Sequence, residues 1–523
     1  MGLRVHPPRW RNGTVAWLTA LALAWASPMF SDQPQWGERW TRNMVAAVTN
    51  LPAEFDLGTG RHVVWRAALG SETYGTPIVA AGRVYIGTNN RNPRDPRRGG
   101  DRGVLMCLRE SDGMLLWQVA TPKIGGDVYL DWPGAGLCSP PTVEGDRVYV
   151  LSNRGELLCL DVHGMANGND GPFREEAAWL AAPDETPIEP GSLDADVLWR
   201  LDLKETPGIY PHDSSHASVL IHGDLLYLNT CNGVDNTHRR IRHPDAATLV
   251  AVHKATGRVM AEDRERIGPR IVHCQWSSPA LVRLNGREYI VLGGADAVVY
   301  VFEALAPRVE SVPERPQSLR CVGRLDLDPT TVKEGACEWN GRREPGGPST
   351  IHGMPVWANG RWYVTVGGDR WWGKRESWLV ALGMSQSGGE VQLRELWRYP
   401  LVRQCLSTPA VTDRWVFVPD SSGRLHCVDA ETGQPQWVEQ LDGEVSGSPL
   451  VTDGKVYVGT HRGTLYAYEV GPQPRRLGST RFESAIWGTP TAANGRLYVA
   501  TMKWLYALGA PAQASAAPAS EAR

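Results

Sequence analysis

GSPLVTDGKVYVGTHRGTLYAYEV (447–470) contains the pattern that decides the fold. A small residue and Pro449 lead into β-forming residues, Asp453-Gly454 makes a turn, and a hydrophobic run then carries Tyr457. Such a dipeptide between alternating runs favours a tight hairpin. LYAY (465–468) then reads as a third strand. The arrangement recurs in GTPIVAAGRVYIGT (75–88), SPPTVEGDRVYVLS (139–152), HGMPVWANGRWYVTV (352–366), STPAVTDRWVFVP (407–419) and GTPTAANGRLYVAT (488–501). In each copy an aromatic stands eight residues after the Pro. Two weaker copies centre on Tyr227, where Val219 takes the Pro place, and on Tyr289, ten residues after Pro279. Self-similarity at such a period denotes a repeat architecture.

Each copy is followed by a third strand, from LMCL (105–108) to LYAL (505–508). Cys107, Cys159 and Cys427 occupy its third position, held elsewhere by Ala or Val, and a free thiol suits a small buried slot. ESDGMLLW (110–117) and AETGQPQW (430–437) add a fourth strand that reaches a Trp, with Trp199 and Trp397 placed comparably. These indoles are expected to dock between neighbouring sheets. Four strands in eight copies predict an all-β, eight-bladed β-propeller. The last copy stops after three strands, so Val63-Val64-Trp65-Arg66 is expected to close the last blade from the N-terminal side. The layout is a signal peptide (1–26), a lead segment (27–62), the propeller (63–508) and a low-complexity tail (509–523) expected to be disordered.

Across 523 residues the net charge is −3, which excludes a generally basic nucleic-acid binder. The 42% apolar fraction excludes wholesale disorder. Residues 1–13 carry three Arg and no acid, residues 14–26 are uncharged and apolar, and Ala24-Trp25-Ala26 forms a small-x-small cleavage pattern. That combination predicts a cleaved signal peptide and a periplasmic or secreted protein with no transmembrane segment after cleavage; a monomer is expected, although the sequence does not fix the oligomeric state. Nine cysteines at wide spacings do not describe a disulfide-stapled mini-domain, and pairing among Cys138, Cys231, Cys274, Cys321, Cys337 and Cys405 stays open.

Successive repeat aromatics are 64, 78, 62, 74, 54, 40 and 41 residues apart, so the first five steps carry insertions. Three inserts, 89–103, 232–247 and 367–377, join second to third strands and open on one face. They hold Arg97, Arg98, Arg239, Arg240 and Arg370 with Trp371 and Trp372. The insert 167–196 joins third to fourth strand, is expected on the opposite face, and has eight acids against one Arg. The charge pattern predicts a basic, aromatic-bearing face that takes an envelope protein, a glycan or an anionic small ligand, and no nucleic acid. Residues just before each inner strand ring the channel mouth on that face. They include His212, Asp213 and His216, then His273, Cys274 and Trp276, then His352, Arg403, Cys405 and Trp487. Convergent polar groups at a mouth point to binding, and imidazole serves as ligand or base near neutral pH. No metal site is assigned. C-x-x-C, G-x-S-x-G, Walker A and H-E-x-x-H are all absent.

The unit D/E-x-x-T/S-G-x-x-x-W with S-P-x-x-x-x-G-x-V-Y resembles the repeat of quinoprotein-type, PQQ-binding-like propellers over residues 63–508. PQWGERW (34–40), TCNGVDNTH (230–238) and HCQWSSPAL (273–281) further resemble exported propeller proteins of planctomycete-type bacteria. That family includes PQQ alcohol dehydrogenases and the outer-membrane assembly lipoprotein. The enzyme branch implies a quinone held between a Trp floor and a disulfide of adjacent Cys, with Ca²⁺ on carboxylate and Asn. No two Cys are adjacent here, and the assembly lipoprotein's anchor Cys has no counterpart. The resemblance thus implies an exported binding or scaffold module. Its alternative is a PQQ- and Ca²⁺-dependent dehydrogenase, with Asp213, His273 and His352 as catalytic candidates and Trp276, Trp371, Trp372, Arg403 and Trp487 around the cofactor.

Overall fold

Eight four-stranded antiparallel units follow one another, and in the first seven the four strands run in chain order from the channel outward. The computed structural model describes residues 1–2, 31–125 and 127–510. Nearly all of the expected signal peptide, and the tail from residue 511, lie outside the described residues. Blade six shows the plan with Ala410–Val411, Trp415–Pro419, Arg424–Asp429 and Pro435–Gln440. Blade eight joins Thr491–Ala493, Arg496–Ala500 and Trp504–Leu508 to Val63–Ala68, with Trp65 opposite Ala507 and Ala67 opposite Leu505. The eight-bladed propeller and its N-terminal closing strand are therefore as expected. Blade three gains a fifth strand, Gln317–Ser318, parallel to Val259–Glu262. Among the described residues no helix is long and apolar enough to cross a membrane.

The repeat's chemistry explains the packing. The second-strand aromatics are buried, as are Cys107, Cys159 and Cys427 in the small third-strand slot. All nine cysteines are free thiols, so the open pairings are not made. Each outer-strand indole reaches the next blade: Trp65 Nε1 donates to the Glu110 carbonyl (2.8 Å), Trp117 to Val162 (2.8 Å) and Trp437 to Gly471 (3.0 Å). Gly113, at φ 73°, lies so close under Trp65 that a Cβ there would meet the ring at 2.6 Å. The glycine in the D/E-x-x-T/S-G motif thus serves both its turn and its neighbour's Trp.

The lead segment is a plug. Gln33 pairs with Val79 of blade one, and the Pro34 carbonyl accepts from Val143 N of blade two. Trp40 and Thr41 carbonyls accept from Leu281 and Trp357 of blades four and five, Asn43 bonds Val411 of blade six, and the Met44 carbonyl accepts from Val451 of blade seven. Arg42 is 0% exposed and donates to the carbonyls of Pro279, Trp36 and Ser218. Burial pulls its pKa down to about 9.

The acidic insert departs from expectation. It runs along the outer edge of blade one, where Asp194 bridges Gln118, and returns to the Arg-bearing loop. Asp194 faces Arg98 at 3.6 Å, and Glu185 pairs with Arg102. Acid and base meet on one side of the ring, which corrects the expected separation of basic and acidic faces.

Candidate functional site at the channel mouth

Inter-blade connections and inserts converge above the plug around a cavity of about 580 Å³. Its floor includes Trp36 of the plug, and its walls include Trp132, Trp276, Trp371, Trp372 and Trp487. Trp276 meets Trp371 edge-to-face at 5.7 Å, and His461 stacks on Trp487 at 3.8 Å. The buried Nε1 atoms of Trp276 and Trp372 and Nδ1 of His352 have no hydrogen-bond partner. A mostly aromatic cavity with a volume in the range of small-molecule sites suits one ring-bearing ligand.

On one side of the cavity the imidazoles gather. His212 and Asp213 come from the connection into blade three, His238 from the blade-three insert, and His273 from the connection into blade four. The Nε2 atoms of His212 and His273 lie 3.1 Å apart, and Asp213 stands 3.6 and 3.4 Å from them. One nitrogen from each of the three His falls within 4.8 Å of the others. Gly233 makes room for this approach, since a Cβ there would sit 2.5 Å from that of His212. Behind His273, Asp369 lies 3.4 Å from Nδ1 and accepts hydrogen bonds from His352 Nε2 (2.9 Å) and from the backbone of Trp371 and Trp372.

Burial, and then the neighbouring His273, pulls His212 down to about 3, so that ring is neutral. Burial opposes charge on His273 as well, but the Cys274 sulfur, Asp369 and Asp213 outweigh it and lift its pKa well above the ordinary value. Burial also opposes ionisation of Asp369, yet His273 and His352 hold it far below the usual carboxylate range.

Of the candidates drawn from the sequence, Asp213, His273 and His352 do come together, and Trp276, Trp371, Trp372 and Trp487 do line the cavity. Arg403 does not; it is exposed and outside the lining. Arg97, Arg239 and Arg240 are exposed, with Arg97 paired to Asp95. Arg98 is 2% exposed and unavailable to a partner, and Arg370 turns in against Glu444, Ser446 and the Trp487 ring. Cys274 and Cys405 are buried free thiols. Three residues escaped the sequence reading. Asp369 and His238 sit on inserts that obey no repeat, and Trp36 lies in the lead segment; only the resemblance of the 34–40 and 230–238 stretches drew attention to the last two.

An eight-bladed propeller with a floored, aromatic cavity at one mouth defines the class: a PQQ-like propeller. The chain belongs to the family described as outer membrane protein assembly factor BamB, which matches residues 53–304 and 390–471. Among solved structures it is similar to BamB from Moraxella catarrhalis, at 13% identity over 86% of this chain and 97% of that one, with a TM-score of 0.49. It is also similar to quinohemoprotein alcohol dehydrogenase from Comamonas testosteroni, at 13% identity over 94% and 82%, with a TM-score of 0.46. No curated protein matches it by sequence.

Proposed function

We propose that this chain is a small-molecule-binding propeller of the cell envelope, whose working site is the mouth cavity and whose ligand is a planar ring compound. One observation carries this reading: six Trp, one of them delivered by the plug, enclose a space of about 580 Å³ at the channel mouth. Flat rings stack on indole faces, and a space of this volume encloses most of a small molecule's surface.

Ca²⁺-assisted quinone chemistry fits the site poorly. Ca²⁺ takes about six to eight oxygen ligands, whereas the donors gathered here are three imidazoles and Asp213, with Asp369 wholly enclosed behind them. No step through Ca²⁺ is therefore derived. Of the Arg expected on a basic working surface, Arg97, Arg239 and Arg240 stay exposed, Arg97 is paired to Asp95, and none of the three lines the aromatic cavity.

Titrating metal-stripped protein with PQQ alone, and separately with anilinonaphthalene sulfonate, tests the proposal. Saturable quenching of Trp fluorescence at one equivalent is expected for at least one probe, weakened about tenfold or more in Trp276→Ala. Absence of saturable quenching by both probes, or unchanged affinity in the variant, overturns it.

A further inference from the structure

We infer that His212, His238 and His273, together with Asp213, form a binding site for a divalent first-row transition ion such as Zn²⁺. The site goes beyond the ring-binding reading and lies beside the Trp walls. Four donors at about 2.0–2.1 Å from one tetrahedral ion stand about 3.3 Å apart. The observed separations are 3.1 Å between His212 and His273 Nε2, 3.4 Å from His273 to Asp213, and 3.6 Å from His212 to Asp213. His238 completes the group from a separate insert, its nitrogen within 4.8 Å of both partners. Nitrogen-rich donor sets with one carboxylate select Zn²⁺ and its neighbours in the row over Ca²⁺ or Mg²⁺.

Two further features match a metal centre. His273 turns its second nitrogen to Asp369, itself held by His352 and two backbone N–H groups; this carboxylate–imidazole arrangement orients a ligand ring. Backbone strain also collects here. Asp213 (φ 63°), Ser214 (φ 109°) and His238 (φ 56°) are non-glycine residues in the left-handed region. Such strain persists only where surrounding structure imposes it, and it clusters at functional sites. Tyr129 covers one flank, parallel to His212 and edge-on to His238 at 4.5 Å. Asp213, His238 and His273 all face the cavity, so a water or a ligand atom can complete the coordination.

Adding Co²⁺ to metal-stripped protein tests the site. The expected result is uptake of one equivalent, with the visible absorption of a four- or five-coordinate nitrogen-rich centre, displaced by Zn²⁺. His238 lies on an insert and is partly exposed, so His238→Ala is the variant gentlest on the fold; a loss of about 100-fold in affinity is expected. His352→Asn, which loosens Asp369, is expected to cost about tenfold. X-ray absorption on the Zn²⁺-loaded wild-type protein needs no variant and should show three imidazoles. Lack of stoichiometric uptake, wild-type affinity in His238→Ala, or a thiolate in the coordination shell overturns the proposal. Ring-probe binding is measured without metal, so either reading can fail while the other stands.

Discussion

His461 shows how much a single mouth residue reports. Its ring stacks on Trp487, Nε2 lies 3.0 Å from Ser446 Oγ, and Glu444 and Arg370 are the charged groups that face it. Burial, with Arg370 adding to it, lowers its pKa to about 4. The unfolded chain titrates near about 6.5 and so binds more protons than the folded one between those values. Stability is therefore fully present above about pH 6.5 and falls as the pH drops toward 4. Thermal melts between pH 7 and 5 should show a smaller decline for His461→Gln than for the wild-type protein; parallel declines would refute the assignment. At this scale the sequence was a fair guide wherever a residue had a repeat position. His273, Trp276 and His352 stand before inner strands, and the repeat itself marks those positions as mouth. Asp369 has no repeat counterpart, and its importance arises only because the start of the blade-five insert sets it behind His273 of the neighbouring connection.

The plug segment ranks as an element although it forms neither helix nor strand. Its chief anchor is Arg42, an enclosed guanidinium satisfied by carbonyls and a hydroxyl, with no carboxylate among its hydrogen-bond partners. Replacing it with Met would strip the Pro279, Trp36 and Ser218 carbonyls of their donor. Buried acceptors left in that state cost about 1–3 kcal/mol each, so Arg42→Met should lose about 3 kcal/mol or more in denaturant unfolding. A loss under about 0.5 kcal/mol would mean that the plug does not depend on this residue. The blades were legible because their pattern is local, each hairpin announcing itself through Pro, turn and aromatic within fifteen residues. The plug was not, because irregular backbone bonded to six different sheets leaves no periodic trace.

For the molecule as a whole, the revised charge distribution decides which surface matters. Of the five Arg expected to meet a partner, Arg98 is spent on the acidic insert and Arg370 on the cavity wall, which leaves Arg97, Arg239 and Arg240 exposed. Reversing those three to Glu should leave ring-probe affinity within about twofold at about 1 M salt, since none of them lines the cavity and exposed charges are screened there. A drop beyond tenfold would return the working site to the basic loops. One consequence of the plug concerns time rather than space. Its residues are synthesised before any blade, yet their partners include Thr489, and the strand that follows it pairs only with Trp504–Leu508. The earliest-made part of the propeller must therefore wait for the latest, a folding problem of very long contacts and slow closure. Until the end of the chain arrives, the ring cannot shut; once it does, floor and clasp lock together, and a chain shortened before residue 504 has no closing partner for Val63–Ala68.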